Sequence, residues 1–180
     1  MLAVPRAESA LLITCPQSEH VVGSHRAQYD RAAQLGVPAH ITVIYPFQAR
    51  DRMTEADHVR LQQIFTSFSG FTLVGASTAW FNQAVLYVEP QDPSPIIELA
   101  EAVVDAFPDF PPYRGAFEQL IPHLTVGHDQ PVDVLRAAER DVLAMLPFSQ
   151  KVTTVELWSG PPLSSGIGRW VRARSYQLGL

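Results

Sequence analysis

Polar and apolar positions alternate along several short runs rich in β-branched and aromatic residues. These runs predict strands at Ala10–Cys15, Ile41–Tyr45, Phe71–Trp80, Val85–Val88, Leu124–Gly127, Val152–Trp158 and Trp170–Leu178. Between them the apolar spacing lengthens to three and four, the period of a helix with one buried stripe. Val59, Ile64 and Phe65 mark one such segment, Ile96, Ile97, Leu99, Ala100, Val103 and Val104 a second, and Val134, Leu135, Ala138, Val142, Leu143 and Leu146 a third. A weaker helix is expected over Ser18–Leu35, ending near Gly36 and Pro38. Thr54, Ser94 and Asp133 stand where N-caps are expected, since their side-chain oxygens can accept from the free amides of a first turn. Breaks rich in proline and glycine fall at Glu89–Pro95, Phe107–Gly115 and Ser159–Gly168. The last holds Gly166 and Gly168, but it lacks the strand–loop–helix setting of a phosphate cradle and reads as a connector between the final strands.

The order of these elements repeats. A helix, a strand opening on His-x-Thr, a helix and a strand pair occur once around Ser18–Val88 and again around Ser94–Leu178. The two triplets stand 83 residues apart (123 − 40), nearly half of the 180-residue chain. That is an internal duplication with too long a period and too few copies for a solenoid. The expectation is one bilobal domain over 1–180, with approximate repeats 8–90 and 91–180. Its fold class would be α+β: two antiparallel sheets related by a pseudo-twofold axis around a central groove, with helices outside.

The first copy reads Pro38-Ala39-His40-Ile41-Thr42-Val43-Ile44-Tyr45-Pro46-Phe47, the second Ile121-Pro122-His123-Leu124-Thr125-Val126-Gly127-His128. Residues two apart on a strand share a face, so His40 joins Thr42 and His123 joins Thr125, with the aliphatic neighbours turned away. If duplication sets the strands side by side, two imidazoles and two hydroxyls converge. Cleaving a phosphodiester needs one proton taken from the attacking oxygen and another given to the leaving oxygen. Histidine titrates near neutrality and suits both tasks. The threonine hydroxyls can donate to non-bridging phosphate oxygens. One His-x-Thr is a weak pattern; two copies at matching places in a repeat are a specific one.

Composition narrows the picture. With 13 Lys+Arg against 18 Asp+Glu the net charge is −5, and no basic stripe suited to long nucleic acid runs through the chain. The expected partner is a small nucleotide or an RNA end, without extended nucleic-acid binding. No membrane association is expected, and nothing demands more than a monomer. Cys15, the one cysteine, cannot form an internal disulfide, and Glu8 interrupts the N-terminal apolar residues, so the expected location is cytoplasmic. The six histidines show no zinc-type spacing, and no metal and no cofactor are expected. His123 and His128 are five apart, an offset that sends them to opposite faces of a regular strand. His20, His25 and His58 fall on predicted helices and are expected to face solvent.

The paired triplets resemble those of the 2H phosphoesterase superfamily, in the branch of 2′–5′ RNA ligase-like proteins and RNA 2′,3′-cyclic phosphodiesterases. The resemblance spans nearly the whole chain. It implies a bilobal fold around a groove, and metal-independent hydrolysis of a 2′,3′-cyclic or 2′–5′ phosphodiester of a nucleotide or RNA end. Carried over by motif position, the catalytic set is His40, Thr42, His123 and Thr125. Some relatives carry an arginine a few residues after the second triplet, where this chain has Gly127 and His128. Candidate substrate contacts are Tyr45, Phe47, Arg114 and His128. Trp80 and Phe81 are expected in the core, and Arg172 and Arg174 on an exposed strand face. The alternative function is a catalytically silent nucleotide-binding module of the same fold.

Overall fold

The first apolar run, Ala10-Leu11-Leu12-Ile13, is buried along its whole length because its strand is covered on both faces. Leu11 and Ile13 enter the main core, while Ala10 and Leu12 join a second cluster with Leu35, Val37 and Trp170. This strand, β1 (Glu8–Thr14), begins the computed structural model, which describes residues 7–180. It pairs antiparallel with β2 (His40–Ile44) and β7 (Thr154–Gly160), and β8 (Val171–Gln177) completes a sheet ordered β2-β1-β7-β8. The second sheet has the order β5-β4-β3-β6, from β3 (Phe71–Phe81), β4 (Val85–Pro90), β5 (Leu124–His128) and β6 (Phe148–Val152), again all antiparallel.

The expected α+β class with two antiparallel sheets is therefore the observed one. Neither sheet is made from one half of the chain, however. The terminal sheet takes β1 and β2 from the start and β7 and β8 from the end, and the central sheet takes everything between. The predicted strand Val152–Trp158 is two strands. The chain leaves the central sheet after Val152, passes Thr153, and enters the terminal sheet at Thr154. The start of β6 escaped the pattern because only Phe148 and Val152 are apolar there; Gln150, the middle inward residue, is buried by bonding Thr14 O and Gln17 N.

Helices α1 (Glu19–Tyr29), α3 (Glu55–Thr66), α4 (Ser94–Ala106) and α5 (Val132–Met145) pack outside the sheets. They cross over: α1 lies against β5 of the central sheet, and α4 against β2 of the terminal one. Each His-x-Thr strand, an edge strand of its own sheet, is thus covered by a helix that departs from the other sheet. Burying Leu99 or Leu135 from these helices stabilises by roughly 1.5–3 kcal/mol each. Thr54 forms the anticipated cap, a reciprocal box with Asp57 at the start of α3. Pro93 and Pro131, rather than Ser94 and Asp133, hold the cap positions of α4 and α5, which puts the two expected caps inside the first turn.

The expected helix over Ser18–Leu35 is broken. After α1 the chain is extended at Asp30 (φ −120°, ψ 114°), and a short α2 (Arg31–Gln34) follows. Asp30 caps α2 by accepting from Ala32 N–H at 3.0 Å. Arg26 holds the same carboxylate through Nε at 3.0 Å and Nη2 at 2.7 Å, and both residues are buried.

Candidate active site

Both His-x-Thr pairs line a single cavity of about 680 Å³ between the two sheets. The strands that carry them, β2 and β5, pack directly against each other. The period-two reading holds across each triplet: Ile41 and Leu124 are fully buried, while His40, Thr42, His123 and Thr125 are half-buried and face the groove. The two histidines are held alike. His40 Nδ1 lies 2.8 Å from Pro38 O, and His123 Nδ1 lies 2.7 Å from Ile121 O. A carbonyl only accepts, so each Nδ1 carries the hydrogen and each neutral ring presents the lone pair of Nε2.

Beyond the threonines both strands lose register in the same way. Leu12 pairs with Thr42 and Leu11 with Ile44, which leaves Val43 as an extra residue; Tyr87 pairs with Thr125 and Leu86 with Gly127, which leaves Val126. Such a bulge turns the following side chains over. His128 therefore faces the groove together with His123 and Thr125, contrary to the expectation for a regular strand. Tyr45, its counterpart 83 residues earlier, faces the groove too. Both are engaged by carboxylates. The Tyr45 hydroxyl donates to Glu8 at 2.5 Å, and His128 Nδ1 donates to Asp129 at 2.9 Å. His128 Nε2 accepts from Arg31 N–H at 3.2 Å and lies 3.7 Å from Asp30 Oδ1.

Two other candidate contacts do not reach the groove. Phe47 is buried among Phe107 and Phe110, at 5.4 and 5.3 Å between ring centres, because its amide donates to Ser9 O and draws the chain back into the core. Arg114 is 75% exposed and pairs with Glu8 at 3.7 Å. Of the two residues expected in the core, Trp80 packs against it while also lining the groove, and Phe81, at the end of β3, lines the groove instead. His25 and His58 are half-buried rather than solvent-facing: His25 lies 3.5 Å from Asp141, and His58 Nδ1 meets the Tyr176 hydroxyl at 2.7 Å. His20 is exposed as expected. Arg172 and Arg174 stand on the outer strand and are held by Glu156 and Glu55. Burial pushes the Cys15 thiol up to about 12, which leaves it inert.

The surroundings of the two imidazoles differ. His40 is pushed down to about 4, first by burial and then by the Arg26 guanidinium, with His123 adding to the same effect and Asp30 opposing it. His123 is lowered by burial, with the Ile121 carbonyl and Asp30 working the other way. Its ring also stands edge-on to Phe81 at 4.9 Å and Tyr87 at 5.5 Å, and stacks on Tyr113 at 6.5 Å. Tyr113 reaches it from a turn in which Tyr113 and Arg114 both take left-handed φ, 51° and 56°, anchored by Tyr113 N–H donating to Tyr45 O at 2.6 Å. Neither Asp30 nor Trp170 stands out as a groove residue in the sequence pattern. Arg26 and Asp30 did stand in readable i, i+4 relation, but their burial behind the groove was not readable.

A duplicated α+β fold with a His-x-Thr pair from each sheet facing one groove is the arrangement of a 2H phosphoesterase. The chain belongs to the 2′-5′ RNA ligase superfamily, whose family model matches residues 15–160. Solved structures share the fold at low identity. TT0787 of Thermus thermophilus superposes with a TM-score of 0.61 at 14% identity, covering 95% of this chain and 97% of that one. E. coli LigT complexed with 3′-AMP gives 0.58 at 16%, covering 97% and 99%. LigT complexed with NADP+ gives 0.57 at 18%, covering 99% and 100%. No curated protein sequence matches this chain. The family supports a phosphoesterase or RNA ligase-like function. No helix among the described residues is long and apolar enough to cross a membrane.

Proposed function

We propose that the groove hydrolyses a 2′,3′-cyclic or 2′–5′ phosphodiester of a nucleotide, with His40 and His123 as base and acid and no metal taking part. The observation that carries this reading is the matched pair of imidazoles, each fixed through Nδ1 so that Nε2 meets the same cavity. The solved complexes of LigT with 3′-AMP and NADP+ make a nucleotide the natural first substrate to test.

The surroundings divide the roles. His40, depressed by burial and by Arg26, stays neutral and takes the proton of the attacking water. His123 sits among three aromatic rings, whose electron-rich faces favour an imidazolium once the phosphate's charge arrives, and it gives its proton to the departing ribose oxygen. The bond from phosphorus to that oxygen breaks as the bond to water's oxygen forms. Thr42 and Thr125 donate to the non-bridging oxygens, each contact to a charged group contributing about 1.5–3 kcal/mol.

The test is a panel of 2′,3′-cyclic nucleotides, cyclic-phosphate-ended RNA and 2′–5′ linked dinucleotides, assayed with and without EDTA. His40→Ala and His123→Ala should each lower turnover by on the order of 10²–10⁴, and EDTA should leave it unchanged. Activity that survives both single substitutions, or that is lost to chelation and restored by a metal, would refute the mechanism.

A further inference from the structure

The walls of the groove are unusual in charge for a site that meets phosphate. Among the described residues lining it there is no lysine or arginine, and its one acidic side chain is Asp30. Of the arginines beside lining residues, Arg26 is held by Asp30 and Arg114, next to Tyr113, by Glu8, while Arg31 and Arg169 are exposed and do not line the groove. The walls are flat and apolar instead. Leu12, Leu163 and Trp170 stand on the terminal-sheet side, Trp80 and Phe81 on the central-sheet side, and Phe117 on the loop before β5. Phe117 remains 68% exposed, an aromatic ring offered at the mouth.

A phosphodiester carries one negative charge, which a protonated histidine and two threonine hydroxyls can meet. Any further phosphate held inside the groove would meet no basic side chain among the described lining residues and would lose hydration without replacement. Proteins that grip nucleic-acid backbones supply lysine or arginine for each phosphate, whereas stacking on aromatic rings is indifferent to charge. The cavity's 680 Å³ lies within the range of about 300–1,000 Å³ usual for small-ligand sites. Resting on the phosphoesterase reading above, we infer that the groove selects phosphodiesters with a single negative charge and a flat, uncharged substituent of nucleoside size. It discriminates against substrates with additional phosphates, including 5′-phosphorylated nucleotides and RNA ends.

The experiment compares kcat/KM for adenosine 2′,3′-cyclic phosphate bearing a free 5′-hydroxyl, for its 5′-phosphorylated counterpart, and for a short RNA ending in the same cyclic phosphate. The 5′-hydroxyl form should be favoured by about tenfold or more at low salt, and salt should narrow the gap. Gln119→Arg, at an exposed lining position, should narrow it as well. Equal or better use of the more highly charged substrates would overturn the inference. Turnover of the 5′-hydroxyl form upholds the phosphoesterase reading whichever way the comparison falls. Should none of the three be turned over, that reading fails. Charge selection is then read from quenching of Trp80 and Trp170 by the two cyclic nucleotides, where tighter binding of the 5′-phosphorylated one overturns it and weaker binding sustains it.

Discussion

Removing the charge of Asp30 tests the electrostatic design behind the groove. Arg26 and Asp30 are only 2% and 3% exposed, with Arg26 Nη2 2.7 Å from Asp30 Oδ2. At an effective dielectric constant of about 20, two unit charges at that distance attract by about 6 kcal/mol. The cost of desolvating both ions cancels much of this, so the intact pair adds little net stability. Breaking the pair is another matter. Asp30→Asn keeps an oxygen for the Ala32 amide but leaves a buried guanidinium unpaired, and about 3–5 kcal/mol should be lost. Arg26→Met should lose a comparable amount, and the double variant clearly less than the sum of the two. Urea unfolding of the four proteins measures this as shifts in midpoint at an unchanged slope. The groove should report it too. Asp30 raises the proton affinity of both histidines, so in Asp30→Asn both limbs of the pH profile of kcat/KM should move to lower pH. A single substitution costing less than about 1 kcal/mol, or strict additivity in the double, would refute the reasoning.

Two further outcomes are expected. His40 has a folded proton affinity of about 4, below that of an unfolded histidine near 6.5, so its stabilising contribution is complete above the unfolded value. That contribution should drain away as pH falls from about 6.5 towards 4, and urea midpoints across this window should fall less steeply for His40→Gln than for the parent. Gly127→Ala would set a Cβ 2.7 Å from Tyr29 Cβ and 3.0 Å from Leu135 Cδ2. Such overpacking should lower the unfolding free energy by about 1–3 kcal/mol, and an unchanged urea midpoint would contradict the close packing of α1 on β5.

What the sequence carried about this site came through repetition more than through periodicity. The period-two rule placed His40 with Thr42 and His123 with Thr125, because up to the threonines both strands are regular. One residue later it fails, since Val43 and Val126 are extra residues that look like any other strand valine. The rule therefore misplaced His128, and it left Tyr45 ambiguous between groove and core. Spacing by 83 residues does what the strand period cannot, because two copies that share a bulge share its consequences, and Tyr45 and His128 fall at matching positions in the two motifs. The copies differ where the chemistry would need them to. Arg26 bears on His40, whereas Phe81, Tyr87 and Tyr113 surround His123. Those partners come from a helix, two strands and a left-handed turn that meet only in the folded chain, so no local pattern could have announced them. Asp30 shows the same limit from the other side: its apolar neighbours continue a helical spacing, and only the demand of a buried Arg26 for a carboxylate, met together with the cap of α2, explains why the helix stops there. The protein can assign fixed roles to two like imidazoles only through something outside the repeat that distinguishes them, and that asymmetry is a tertiary property of the fold.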